Sequence, residues 1–134
     1  MANDQAEQSK QSPYSQKEQQ YFKELLEKEH QETKQKIDEL RDTLHSIEND
    51  SNDENSAAAH HQGDIASEED EREKFLIMIE KAKDKITEIN DALDRIENGT
   101  YGICQKTGEK IQQERLEIRP YARYSVAAQK QQES

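Results

Sequence analysis

Tryptophan is absent from this 134-residue sequence, and two phenylalanines and five tyrosines supply all of its aromatic surface. With 30% apolar residues against 37% charged, a thick globular core is excluded, because a chain this short must bury a large share of its surface to fold that way. The single cysteine, Cys104, excludes an internal disulfide and is in keeping with a reducing compartment. No apolar run approaches the roughly 20 residues that cross a bilayer, so no membrane partner is expected. Residues 1–5 hold neither a basic region nor an apolar stretch. No secretory signal is therefore expected, and the cytoplasm is the expected location. Proline occurs twice and glycine four times, which leaves long stretches uninterrupted. Residues 15–47 contain neither, and the good helix formers Lys, Glu, Gln and Leu dominate them.

What is present is periodic. Phe75, Ile79, Ala82, Ile86, Ile89, Leu93 and Ile96 recur at alternating steps of four and three, the spacing of a left-handed helical seam. Phe22, Leu26, Thr33, Ile37, Leu40, Leu44 and Ile47 form a matching stripe upstream. Neither stripe buries itself alone, so segments 14–47 and 67–97 are expected to pair as a long antiparallel coiled-coil hairpin, placing the chain in the mainly α class. Ser12-Pro13 and the capping box Ser15-Gln16-Lys17-Glu18 mark the start of the first helix. The polar run 51–56 breaks the pattern, Ala57–Ala59 offers one helical turn, and Asp64 or Ser67 is expected to cap the second helix. Asn98-Gly99 ends it.

The formal charge of −11 and pI of about 4.8 are unevenly distributed. Residues 48–73 hold ten acidic side chains against Arg72 alone, a balance of −9, so the acids gather at the hairpin's turning end. Residues 99–134 carry six basic and four acidic side chains, a balance of +2, with Arg115, Arg119 and Arg123 spaced by four. This field disfavours autonomous binding to nucleic acid. Glu68-Glu69-Asp70-Glu71 supplies carboxylates in abundance, but neighbours along a helix point apart and no apolar pocket is available to raise one pKa. No catalytic residue and no cofactor are therefore expected, and the chain reads as a non-enzyme.

After Gly99 the character changes. Tyr101-Gly102-Ile103-Cys104-Gln105-Lys106-Thr107-Gly108-Glu109-Lys110-Ile111 reads as a tight knuckle leading into a short strand. Glu114–Glu117 is expected to form a helical turn that stops before Pro120, and Ser125–Gln132 a last short helix. Tyr101, Ile103, Ile111, Leu116, Ile118, Tyr121, Tyr124 and Val126 supply a small core. The expected organisation is an arm at 1–13, the hairpin at 14–98 with its acidic tip around 48–73, a small module at 99–128 and a tail at 129–134.

The phrase from Tyr101 through Gly108, followed by Ile111, Glu114-Arg115-Leu116-Glu117, Arg119-Pro120 and Ala122, resembles the carboxy-terminal zinc finger of the DksA/TraR family of bacterial transcription regulators. That family also carries a coiled-coil hairpin with a tip of the form Asp-x-x-Asp-x-Ala. Asp64-Ile65-Ala66 matches its second half, and His61 stands where the first acid would be. The resemblance implies binding to bacterial RNA polymerase, entry of the hairpin into the secondary channel and no sequence-specific contact with nucleic acid. It nominates Asp64, Ala66, His61, Arg115 and Arg119 as partner-binding residues. It also exposes a departure at the metal site, where the four cysteine positions are Cys104, Thr107, Ser125 and Ala128, so the finger is degenerate and no metal is expected. A monomer is expected, with a homodimer left open because Tyr21, Leu25, Leu76 and Ile77 lie off the stripes. The alternative is a helical adaptor, or a stress- or sporulation-associated structural protein, without polymerase activity.

Overall fold

The computed structural model describes residues 11–52 and 62–133. They form α1 (Gln16–Asn52), α2 (Gln62–Asn98), α3 (Gln113–Ile118) and α4 (Val126–Glu133). The chain is mainly helical, as the periodicity requires. Ala57–Ala59 and His61 lie outside the described residues.

Both long helices run past the limits expected from the stripes. α1 continues through Ser51 and Asn52, which were expected to break it, because a helix already propagating adds one backbone hydrogen bond for each polar residue it takes in. α2 begins at Gln62, so Asp64 and Ser67 lie inside the helix and do not cap it. Other boundaries are fixed by local chemistry. Ser15 and Glu18 form a reciprocal capping box, the Ser15 N–H donating to Glu18 Oε1 at 2.9 Å and the Glu18 N–H to Ser15 Oγ at 3.1 Å. At the carboxy-terminal end of α2, Gly99 adopts φ +76°. The Gly99 and Thr100 N–H groups then donate to the Ile96 and Arg95 carbonyls, the Schellman arrangement that satisfies the last turn of α2.

The chain divides into two compact units, residues 1–30 with 87–134, and residues 31–86. In the second unit Ile37 and Leu40 of α1 are buried with Ile79 of α2, flanked by half-buried Leu44, Phe75, Met78, Ala82 and Ile86. Glu48 accepts from Arg72 at 3.0 Å in the same unit. Rising numbers on one helix meet falling numbers on the other, so the two helices run antiparallel. The seam residues read from the sequence are the ones buried, joined by Met78.

The first unit is richer. Phe22, Leu26, Ile89 and Ala92 of the long helices share one core with Tyr14, Tyr101, Cys104, Ile111, Leu116, Ala122 and Ala128. The small carboxy-terminal module is therefore not a free-standing finger but is packed onto helix ends. Within it the expected short strand is reduced to a single antiparallel bridge between Ile103 and Lys110. Gly108 N–H closes back onto the Cys104 carbonyl at 2.8 Å, which turns the chain too soon for a ladder to extend. Ile118 and Val126, expected in the mini-core, are 86% and 50% exposed, while Leu25, read as off the stripe, packs against the core. Tyr21, Leu76 and Ile77 are exposed, as their off-stripe positions require.

Candidate functional site

Of the residues nominated from the sequence, Arg115 and Arg119 are brought together in the first unit. Arg115 lies on α3, Arg119 is the residue that ends that helix, and Arg123 follows beyond Pro120. Spacing by four suggests one helical face, yet α3 stops at Ile118, and the chain gathers the three arginines by turning. They line a pocket of about 140 Å³ with Glu88, Tyr121 and Tyr124.

Each arginine is held differently. Arg115 is half-buried and donates from Nε to the Tyr124 carbonyl at 3.1 Å. Arg119 is exposed, its guanidinium 5.5 Å from the Tyr121 ring centre. Arg123 pairs with Asp91 at 3.1 Å, and its Nε is buried without a hydrogen-bond partner among the described residues. Arg95 reaches the Ala122 carbonyl at 3.4 Å. Burial, reinforced by the nearby Arg123 charge, holds the Arg95 guanidinium below the ordinary arginine range. With Arg123 paired to Asp91, Arg115 and Arg119 against Glu88 still leave the lining net positive and suited to an anionic group. Arg95, Glu88, Tyr121 and Tyr124 were not nominated from the sequence, since only the fold brings the 119–125 turn against Glu88 and Arg95 of α2.

The different anchoring separates structural from surface roles. Arg115→Ala should lower stability by about 1–2 kcal/mol through the lost charged hydrogen bond to Tyr124, whereas Arg119→Ala should stay within about 0.5 kcal/mol of the parent. Urea unfolding of the two variants checks this; equal losses would show that Arg119 also supports the turn.

Asp64 and Ala66 lie in the first turns of α2, and His61 is outside the described residues. Among the described residues no cluster of three or more His, Cys, Asp or Glu side chains is placed to hold a metal, and no helix is long and apolar enough to cross a membrane.

Residues 99–134 match the model of the prokaryotic dksA/traR C4-type zinc finger. The chain is 51% identical over 47 residues to general stress protein 16O of Bacillus subtilis, covering 35% of this chain and 29% of that protein. It is 44% identical over 70 residues to the RNA polymerase-binding transcription factor DksA of Caulobacter vibrioides, covering 52% of this chain and 49% of that one. The chain thus spans about half or less of the length of these curated relatives. The solved structure of transcription factor DksA2 from Pseudomonas aeruginosa superposes with a TM-score of 0.69 at 33% identity, covering 86% of this chain and 82% of that chain. The chain belongs to the DksA/TraR family.

Membership raises the question of zinc, and the donor set of this family member does not fit it. A C4 site is closed by four thiolates. Here Cys104 supplies one thiol, Thr107 and Ser125 supply neutral hydroxyls, and Ala128 supplies a methyl group buried to 2% exposure. The hydroxyls are otherwise engaged. Thr107 Oγ1 accepts the Glu109 N–H at 3.2 Å, and Ser125 Oγ accepts the Ala128 N–H at 3.2 Å at the start of α4. Burial pushes the Cys104 thiol up, but hydrogen bonds from the Thr107 side chain and from the Ser125, Thr107 and Lys106 backbone outweigh it and bring the thiol down to about 7.

Proposed function

We propose that the protein is a bacterial transcription regulator that binds RNA polymerase and places the acidic end of its helical hairpin in the secondary channel. The observation that carries this reading is the likeness to DksA2 over 86% of the chain, which takes in the long helices as well as the module. Sequence likeness to a relative described as RNA polymerase-binding supports the same partner.

In this reading Asp64 and Ala66, with His61 just before them, meet the polymerase near its catalytic magnesium. A carboxylate there competes for or reshapes metal coordination, and a small alanine permits close approach. The arginine pocket, through Arg115 and Arg119, meets an acidic surface of the polymerase or an anionic effector bound with it. The division of labour follows the expected pieces, 14–98 for reach and 99–128 for docking, although α4 runs from Val126 across the 128 boundary. The protein acts as a cytoplasmic monomer, performs no catalysis of its own and reads no DNA sequence.

The test is co-purification with bacterial core RNA polymerase at low and moderate salt, followed by transcription from a panel of promoters. Association with altered promoter-complex lifetime is expected. Absence of association at both salt concentrations rejects the proposal in favour of a helical adaptor.

A further inference from the structure

We propose that this finger is a metal-independent element, in which hydrogen bonds beside the matched ligand positions and a core shared with the long helices hold together what zinc would otherwise clamp.

A zinc ion in a C4 finger ties two distant stretches of chain, because each supplies two thiolates to one centre. In this chain the same two stretches are tied by other means. Cys104 is 1% exposed and shares the core with Ala128, so the one remaining thiol sits packed at the junction between the two stretches. Beside it, the Gln105 N–H donates to the Arg123 carbonyl at 2.8 Å. Tyr101 donates from its hydroxyl to the Pro120 carbonyl at 2.7 Å, and Arg115 holds Tyr124. At the fourth position Ala128 faces the core, where a thiolate and a metal ion would need a polar shell.

Hydrogen bonds alone do not stabilise a free-standing module of this size, which is why isolated fingers unfold without metal. The difference here is the shared core. Tyr101, Ile111 and Leu116 are at most 1% exposed and belong to the same cluster as Phe22, Leu26 and Ile89. Apolar burial against the long helices thus takes over the stabilisation that a metal supplies elsewhere. The replacement is also exclusive, because Ser125 is committed to starting α4 and Thr107 to closing the knuckle.

The full-length protein decides the matter by elemental analysis and by thermal unfolding with and without a strong chelator. The wild type should contain well under one zinc per chain, and its midpoint should move by no more than about 1 °C on chelation or on adding zinc. Thr107→Cys with Ser125→Cys and Ala128→Cys should take up about one zinc per chain and become chelator-sensitive. Wild-type protein that keeps about one zinc against the chelator, or whose midpoint falls on chelation, overturns the proposal. A folded triple variant that binds no zinc also overturns it, since the four positions would then not converge. If the triple variant does not fold, the zinc content and midpoint of the wild type still separate the two outcomes.

Discussion

Tyr14→Ala is expected to destabilise the first unit by about 3–5 kcal/mol, in the upper range for deleting a large core ring. Tyr14 precedes α1 and is only 4% exposed. Its ring meets Phe22 edge-on with centroids 5.7 Å apart and lies 6.4 Å from Tyr101, which in turn lies 5.5 Å from Phe22. Its hydroxyl donates to the Ile111 carbonyl, 97 residues along the chain. Burial, with the charges of Glu18 and Glu114 adding to it, holds this hydroxyl above the ordinary tyrosine range, so it remains a donor at neutral pH. Ser12 adds a second tie, its N–H donating to the Gly99 carbonyl at 2.7 Å. One substitution therefore removes a ring from a three-ring cluster and leaves the Ile111 carbonyl without its donor. Urea unfolding read by circular dichroism measures the loss. A change below about 1 kcal/mol would show that the strap before α1 contributes little.

Against that ring lies a glycine with no room for a side chain. Gly102 has φ +85°, and a Cβ there would stand 2.5 Å from Tyr14 Cδ2 and Cε2. Gly102→Ala therefore combines backbone strain with a clash against a ring that has no room to withdraw, for an expected loss of about 2–4 kcal/mol. In the Tyr14→Ala background only the backbone strain of roughly 1 kcal/mol should remain. The double-mutant cycle would thus show strong coupling; additive losses would mean the ring is not what limits position 102.

The long helices were legible because their signal is local and repeated. Seven positions on each stripe state the same period, and a hairpin is the simplest way for two such stripes to cover each other. Single events are harder to read. The role of Tyr14 depends on Gly102 and Ile111, which lie far along the chain, and an isolated tyrosine before a capping box carries no periodicity to mark it. The arginine cluster was half visible: the spacing of Arg115, Arg119 and Arg123 drew notice, but it gathers through a turn after α3 and not along one helix. Ile118 misled for the related reason that a helix as short as α3 turns one residue inward, Leu116, and leaves the next apolar residue in solvent. The boundaries of α1 and α2 extended past the stripes because polar residues continue a helix without announcing it in any apolar pattern.

Asp64→Asn is expected to abolish the effect on transcription while leaving polymerase association within about twofold, the second large effect. The substitution keeps size and shape and removes the charge, so it separates docking from action near a magnesium ion. In the proposed reading docking is spread over the helices and the arginine pocket while the action depends on one carboxylate, so the surrounding acids of residues 68–71 should each tolerate the same change. His61 supplies the converse experiment. The resemblance puts an acid at that position of the family's tip, where this chain has a histidine. His61→Asp should therefore strengthen the transcriptional effect by adding a second carboxylate to the tip. Promoter-complex lifetimes of the two variants, with association followed in parallel, read both outcomes. If Asp64→Asn weakens binding and activity in proportion, the tip is a docking contact and the magnesium-directed mechanism is wrong. If neither changes, the acidic segment is a solvated connection, and the regulator works through the arginine-bearing module alone.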